Sequence, residues 1–297
     1  MKKIAFLFLV YDDIVFDDLW AAFFESTDHT KYSIYIHDKN DKPGRFDKYK
    51  LPTTVDTEWA KISLVKAQNL LLEEALKDPH NERFIFLSQS CVPVKTFEYI
   101  YEYLFYNECS IFNRRPIEFP PRYKGLQYIL ENFHFATLYK FNEINQVYKA
   151  SQWCILNRKH ASLLSDKQKF NNSRWHNIFG NIFAPDEIFY LTILMNLKLH
   201  DEIKTTDDLS YSSTFDNWGP LPKWAREKFG YKGPQDFKFA RPLKNRVKTY
   251  QQIQQKELDY LLDSESLFAR KFTKHCLVVP KTVRLENYLK IFLDIGR

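Results

Sequence analysis

Glycine is scarce in this chain, and the phosphate-binding loops that depend on glycine are missing. The 297 residues include only seven glycines, and none of them forms a G-x-G-x-x-G or G-x-x-x-x-G-K pattern. Such patterns let the backbone approach the phosphates of a nucleotide closely. Their absence argues against a Rossmann dehydrogenase and against a P-loop nucleotide hydrolase.

The patterns of disulfide-stapled and zinc-binding domains are also absent. The four cysteines form no C-x-x-C pair, and the eight histidines form neither H-x-x-x-H nor H-E-x-x-H. This predicts neither a disulfide framework nor a zinc site, and it fits a reducing compartment.

The acidic motif of metal-dependent sugar-nucleotide transferases is missing as well. Those enzymes typically carry D-x-D at the end of a central strand, and here that place reads Ser88-Gln89-Ser90-Cys91. Asp56-Thr57-Glu58 imitates D-x-E, but no buried strand precedes it. We therefore predict no metal site and no cofactor.

No apolar run is long enough to cross a membrane. The run Ile4–Val10 has seven residues, whereas a spanning helix needs about 20. Four aspartates follow between residues 12 and 18 without a small-residue cleavage site, so we predict a first β-strand and not a signal peptide. The expectation is a cytoplasmic protein without a membrane span.

Aromatic and basic residues are what the chain has in excess. Phe, Tyr and Trp make up 17% of it; most should fill the core, but aromatics also stack on sugars and nucleobases. Residues 223–248 hold nine basic and two acidic side chains. This segment suggests an anionic partner such as a nucleotide diphosphate, and a solvated loop fits equally well. Nucleic acid is disfavoured because no nucleic-acid-binding motif accompanies the segment.

Strands and helices alternate in the first half of the chain, which predicts an α/β fold with a mostly parallel sheet flanked by helices. The predicted strands are Ile4–Val10, Tyr32–His37 and Phe84–Leu87, and the predicted helices are Phe16–Phe24, Ser63–Leu76 with Ser63 as N-cap, and Phe97–Leu104. In the less regular second half we predict strands at Trp153–Leu156 and Ser266–Phe272, and helices at Arg158–Leu164, from Pro185 to Leu194, and at Gln251–Leu262. Without a linker or repeat, residues 1–297 form one predicted domain, with a nucleotide-binding half (1–115) and an acceptor and catalytic half (116–297).

Two charged pairs could carry chemistry. Asp186-Glu187 follows Pro185, where a carboxylate gains from the helix dipole, so the pair either has a function or only stabilises the start of the helix. Arg270-Lys271 could neutralise a departing diphosphate, or it could be an exposed basic turn. Because neighbours on a strand point to opposite faces, Lys271 is expected to face the site and Arg270 to face away.

A series of motifs, in order along nearly the whole chain, resembles the plant branch of the core-2/I-branching β-1,6-N-acetylglucosaminyltransferase family (glycosyltransferase family 14). Two early segments resemble the family patterns W-G-x-I-S-M-V and N-E-R-F-V-L-L-S-E-S-C-I-P-L. The segments that carry the resemblance are Trp59–Val65, Asn81–Val94, Lys149–Trp153 (similar to K-G-S-Q-W), Ala184–Glu187 (S-P-D-E), Thr214–Trp218 (T-x-x-x-W) and Leu267–Phe272 (L-F-A-R-K-F).

The resemblance implies a GT-A-like fold and an inverting, metal-independent transfer of a sugar, N-acetylglucosamine favoured, from a UDP-sugar to a glycan hydroxyl. Glu187 would be the catalytic base, and Lys271 would bind the diphosphate with Arg246 as its suggested partner. The nucleotide would lie on Val10, Tyr11, His37, Asp38 and Ser88. The acceptor would contact Trp218, Trp153 and Asp186.

The sequence also departs from the family. Relatives usually carry an N-terminal membrane anchor, and this chain starts directly at the first predicted strand. Relatives also transfer xylose or glucuronic acid, which leaves the donor sugar open. A non-catalytic carbohydrate-binding protein on the same fold is the main alternative, and a nucleic-acid binder using residues 223–248 is a weaker one.

Overall fold

The computed structural model describes residues 1–115, 138, 141, 143–206, 213–217 and 247–296. Trp218 and Arg246 lie outside these residues, and so does most of the basic segment 223–248. The strands are β1 Lys3–Val10, β2 Tyr32–Asp38, β3 Asn81–Ser88, β4 Val92–Pro93, β5 Ser110–Arg115, β6 Lys149–Ala150, β7 Ile155–Asn157, β8 Ile203–Thr206, β9 Thr214–Asp216, β10 Tyr250–Gln254, β11 Phe268–Arg270, β12 Phe272–Val279 and β13 Val283–Arg284. The helices are α1 Asp17–Glu25, α2 Ser63–Ala75, α3 Phe97–Tyr106, α4 Arg158–Ser165, α5 Ser173–Gly180, α6 Phe189–Asn196, α7 Gln255–Asp263 and α8 Leu285–Phe292.

A central sheet joins strands from both halves of the chain. Its order is β2-β1-β3-β7-β5-β6, and β8 pairs with β5. Strands β1, β2, β3, β5 and β8 run in one direction, and β6 and β7 run in the other. Helices cover both faces, so the predicted α/β architecture is confirmed.

The central strand β1 is buried on both faces. Ile4, Phe6 and Phe8 pack into a core with α1, α3, α7 and α8, whereas Ala5 and Leu7 pack into a second core with α2, α4, α5 and α6. Alternate side chains point to opposite faces of a strand, which explains why its sequence is a continuous apolar run. Each fully buried large apolar side chain contributes roughly 1.5–3 kcal/mol of transfer free energy.

Two small sheets adjoin the central one. One has the order β4-β11-β9 and the other β10-β12-β13. Phe268 of β11 packs against Phe6 and Trp20, with ring centroids 6.4 and 6.1 Å away. This aromatic contact attaches the C-terminal part of the chain to the first core, beyond the carboxyl end of β3.

Three of the predicted helices differ from the structure. Pro185 opens a three-residue 3-10 turn, Pro185–Glu187, and α6 begins separately at Phe189 because Ile188 has a non-helical backbone. The segment predicted as one helix at Gln251–Leu262 is strand β10 followed by α7. Ser63 is the first residue of α2 rather than its cap, and its hydroxyl accepts a 2.9 Å hydrogen bond from the backbone N–H of Glu58.

Within the part of the chain that the structure describes, no single helix is long and apolar enough to span a membrane. Helix α5 and the segment Pro185–Asn196 meet that requirement only as a pair, across a bend of 105°.

The left-handed backbone at Ala60 yields a stability prediction. Ala60 has a φ of 59°, where the plant pattern that this segment resembles has glycine. A left-handed backbone destabilises an L-residue by roughly 1–2 kcal/mol. Glycine avoids this strain, but its larger conformational entropy in the unfolded state reduces the gain by roughly 0.5–1 kcal/mol. Ala60→Gly should therefore raise the free energy of unfolding, measured in urea, by about 0.5–1 kcal/mol. Ala67→Gly, inside α2, should lower it by about 1 kcal/mol or more, and a loss of stability in Ala60→Gly would contradict the argument.

Candidate active site

Parallel strands bring the residues predicted to hold the nucleotide to one edge of the central sheet. Leu9 of β1 lies between His37 of β2 and Ser88 of β3, and Val10 pairs with Asp38. These positions are the carboxyl ends of three adjacent strands, the usual place for a ligand in an open α/β sheet. The structure therefore places Val10, His37, Asp38 and Ser88 side by side.

Two of these side chains are buried and hold the neighbouring loops. His37 Nε2 accepts a 2.9 Å hydrogen bond from the backbone N–H of Val55, and burial lowers the pKa of His37. Its Nδ1 is buried and has no hydrogen-bond partner among the described residues. Asp38 forms a 3.0 Å ion pair with Lys50. The side chains of His37 and Asp38 thus hold the loops at this edge, and Nδ1 of His37 still lacks a hydrogen-bond partner among the described residues.

Gln89 connects the loops after β1 and β3, a role that the sequence did not suggest. Its side-chain oxygen accepts a 2.6 Å hydrogen bond from the N–H of Tyr11, and its carbonyl accepts one of 2.9 Å from Val15. The hydroxyl of Ser88 lies 3.2 Å from the hydroxyl of Ser90 and 3.2 Å from the thiol of Cys91. Neutral groups therefore fill the place where a metal-dependent transferase has carboxylates. Elsewhere in the described chain, no three His, Cys, Asp or Glu side chains group closely enough to hold a metal ion.

Trp153 lies at the same edge but inside the protein. It precedes β7, which runs antiparallel to β3, and this puts it at the carboxyl end of β3. The guanidinium of Arg270 lies 4.7 Å from the centre of its ring and 3.8 Å from the carboxylate of Asp216. One face of Trp153 is thus covered by Arg270, so this face offers no surface to an acceptor.

Arg270 and Lys271 do not point to opposite sides of one strand, as the sequence had suggested. Strand β11 ends at Arg270 and β12 begins at Phe272, so Lys271 lies between strands, and its carbonyl accepts a 2.7 Å hydrogen bond from Tyr250. Burial, and next the positive charge of Arg270, lower the pKa of Lys271. Lys271 therefore lies outside both strands, so the strand alternation on which the expectation for Arg270 rested does not apply.

The surroundings of Lys271 would favour the binding of an anion. It is half-buried, and no carboxylate among the described residues forms an ion pair with its ammonium group. A buried charge without a partner is unfavourable. An anionic ligand bound here would relieve both the burial cost and the repulsion from Arg270.

Glu187 is carried to the same edge by a short turn. Ala184 adopts a left-handed backbone with a φ of 53°, and its carbonyl accepts a 3.0 Å hydrogen bond from the N–H of Glu187. The carboxylate of Glu187, 18% exposed, forms a 3.1 Å ion pair with Lys149. Lys149 belongs to β6 and pairs with Arg115 at the carboxyl end of β5. Lys149 was visible in the K-A-S-Q-W segment, but nothing in the sequence revealed its contact with Glu187.

Asp186 differs from its neighbour in burial and charge. Desolvation, and next the negative charge of Glu187, raise its pKa to about 8, while the nearby Lys149 opposes the shift. One of its oxygens has no hydrogen-bond partner among the residues described. Stabilisation of a helix start, one of the two alternatives that the sequence left open, does not apply to Asp186 because the turn has only three residues and the carboxyl group is buried.

The central sheet, the helices on both faces and the site at its carboxyl edge are compatible with a GT-A-like glycosyltransferase. The Core-2/I-Branching enzyme family model matches residues 4–238. The chain therefore belongs to this family of glycosyltransferases. Glu187 lies within the matched residues, and Lys271 lies beyond them.

A plant glycosyltransferase is similar to part of the chain. Glycosyltransferase BC10 from rice (Oryza sativa subsp. japonica) is 30% identical to it over 179 residues, which are 56% of this chain and 41% of the rice protein. The chain thus matches about two fifths of the length of that relative.

The burial of Asp186 predicts a particular dependence of stability on pH. In the folded protein the pKa of Asp186 is about 8, above its ordinary value of 3.8. The contribution of Asp186 to the free energy of unfolding is therefore fully present below its ordinary pKa and is lost as the pH rises through its pKa in the folded protein. The free energy of unfolding in urea should fall between pH 4 and pH 8, and Asp186→Asn should flatten this fall. Asp201→Asn, at an exposed position, should leave the pH profile unchanged. A steep, unaltered profile in Asp186→Asn would contradict the assignment.

Proposed function

We propose that the protein is an inverting glycosyltransferase that moves a sugar from a UDP-sugar to a hydroxyl of a glycan, with Glu187 as the general base. The observation that carries this proposal is the Glu187–Lys149 ion pair, 3.1 Å long, at the carboxyl edge of the sheet. A partly accessible carboxylate beside a lysine, at the edge where α/β sheets bind their ligands, supports this role. N-acetylglucosamine is the favoured sugar, because the family that the motifs resemble transfers it.

The choice between the two adjacent carboxylates follows from their surroundings. Glu187 is partly accessible and lies 3.1 Å from the ammonium group of Lys149, whereas burial and the charge of Glu187 favour the protonated form of Asp186. Only the ionised carboxylate can accept a proton. Glu187 would therefore deprotonate the acceptor hydroxyl as its oxygen attacks the anomeric carbon, and Asp186 would stay neutral behind it.

The leaving group would be stabilised by lysine rather than by a metal ion. Negative charge develops on the diphosphate as the glycosidic bond breaks, and a positioned cation lowers the energy of that transition state. Lys271, half-buried beside Arg270, offers such a cation. The neutral side chains of Ser88–Cys91 support the same proposal, because they are poor ligands for Mn²⁺ or Mg²⁺. Val10, Tyr11, His37, Asp38 and Ser88 would then surround the uridine, at the edge that these strands share.

Glu187→Gln tests the base. The amide keeps the shape and hydrogen-bonding capacity of the side chain but cannot accept the proton, so transfer should fall about a hundredfold or more. Binding of UDP-N-acetylglucosamine, measured by calorimetry, should change little, because the base contacts the acceptor. Asp186→Asn is the matched control and should retain most of the activity. Near-normal transfer by Glu187→Gln would exclude this mechanism.

Lys271→Ala tests the neutralisation of the diphosphate. UDP carries a second phosphate that UMP lacks, so the variant should lose affinity for UDP at least tenfold, while its affinity for UMP changes little. Lys281→Ala, at an exposed position, should bind both nucleotides as the unmodified protein does. Transfer by the unmodified protein should persist in excess EDTA. Equal losses for UDP and UMP, or a loss of activity in EDTA that Mn²⁺ restores, would contradict this part of the proposal.

A further inference from the structure

Two exposed aromatic rings touch each other beside the Glu187 turn. Trp59 is 76% exposed and Phe183 is 53% exposed, and their ring centroids lie 5.5 Å apart at an interplanar angle of 72°. Single exposed apolar side chains are common on protein surfaces. A contacting pair that leaves most of its ring surface open forms a small apolar patch with a defined shape.

The loop that carries Trp59 connects the two parts of the candidate site. At its start, the N–H of Val55 donates a 2.9 Å hydrogen bond to His37 Nε2. Lys39, which follows β2, binds the carbonyl of Thr57 and the carboxylate of Asp56. This end of the loop is therefore attached to the edge proposed to hold the nucleotide.

The other end of the loop is attached to the turn that carries the proposed base. The carbonyl of Ala60 accepts a 3.2 Å hydrogen bond from the N–H of Ala184, whose own carbonyl binds the N–H of Glu187. Phe183 precedes Glu187 by four residues, so their Cα atoms are at most about 14 Å apart. The aromatic pair thus belongs to a loop and a turn that are attached to both the nucleotide edge and the proposed base, which puts it within reach of an acceptor bound at Glu187.

The chemistry of the patch fits a sugar ring. The face of an aromatic ring carries partial negative charge, and a pyranose presents polarised C–H groups on one of its faces. Glu58 and Lys61 are exposed on either side of Trp59 and Ala60, and such groups can bind the hydroxyls at the rim of a sugar. Two rings are far too small for a protein interface, which normally buries more than about 1,000 Å².

We propose that Trp59 and Phe183 form a stacking platform for a pyranose ring of the glycan acceptor, next to the sugar that Glu187 activates. The inference rests on the proposed function, because it assigns the acceptor subsite of that reaction. It adds a binding role for Trp59 and Phe183, neither of which takes part in the chemistry itself.

Kinetics with and without an acceptor separate this role from a structural one. The probes are soluble oligosaccharides of xylan, β-galactan and chitin, two to six units long, with UDP-N-acetylglucosamine as donor. Trp59→Ala should raise the KM for the best oligosaccharide about five- to tenfold. This lies at the low end of the roughly five- to hundredfold in affinity that stacking on an aromatic ring contributes for a nucleobase. The kcat, and the slow release of UDP in the absence of acceptor, should stay within about threefold of the unmodified protein. Phe183→Ala should act in the same direction, and Trp59→Phe should restore part of the affinity.

Tyr106→Ala is the matched control. Tyr106 is 88% exposed and ends α3, just before the amino end of β5, so it lies at the opposite edge of the sheet. Its loss should leave the KM for the oligosaccharide unchanged. An unaltered KM in both Trp59→Ala and Phe183→Ala would overturn the platform while leaving the transferase proposal intact.

Direct binding keeps the two proposals distinguishable. Quenching of tryptophan fluorescence by the same oligosaccharides does not require turnover. If the unmodified protein neither releases UDP nor transfers sugar, the proposed function fails, but quenching that disappears in Trp59→Ala still supports the platform. If no oligosaccharide in the series binds the unmodified protein, the platform is wrong.

Discussion

The burial of β1 on both faces is the constraint on which the rest of the structure depends. Its alternate side chains enter two separate cores, and its backbone pairs with β2 on one side and with β3 on the other. The strand can satisfy both requirements only at the centre of the sheet, and its direction sets that of its neighbours. Consequently, the loops after β1, β2 and β3 meet at one edge, and the candidate site is built there.

Two pairs of adjacent residues with the same charge type dominate the electrostatics of the site. Asp186 and Glu187 repel each other, and so do Arg270 and Lys271. In each pair one member has a partner: Lys149 binds Glu187, while Asp216 and the ring of Trp153 hold Arg270. The other member is shifted toward its neutral form, because burial and the neighbouring charge raise the pKa of Asp186 and lower the pKa of Lys271. The protein thus separates the roles of neighbouring residues through their surroundings rather than through their chemical type.

The sequence predicted the regular parts of this molecule because local patterns determine them. The apolar run of β1, the periodicity of α2 and the order of the motifs indicated the α/β fold and the family. It could not reveal contacts between distant segments, such as those of Lys149 with Glu187 or of Gln89 with Tyr11, because they depend on strand order and register. It also failed where a backbone departs from regularity. The left-handed residue Ala184 and the break at Ile188 divided a predicted helix into a 3-10 turn and α6. The break between β11 and β12 removed the alternation that was expected to separate Arg270 from Lys271.

Exposure distinguishes the candidate site from a second cluster whose geometry is more suggestive. His160 Nδ1 lies 2.7 Å from the hydroxyl of Ser110, and its Nε2 lies 3.4 Å from the carboxylate of Glu202, an arrangement similar to a hydrolase triad. Ser110 and His160 are fully buried at the amino end of β5, and the hydroxyl also accepts a hydrogen bond from the N–H of Asn157. Burial lowers the pKa of His160 to about 4, so its ring is neutral at physiological pH, but no substrate can reach the serine. Hydrogen-bond geometry alone would therefore favour the amino edge of the sheet, whereas the partly accessible carboxylate of Glu187, our proposed base, lies at the carboxyl edge, where α/β sheets bind their ligands.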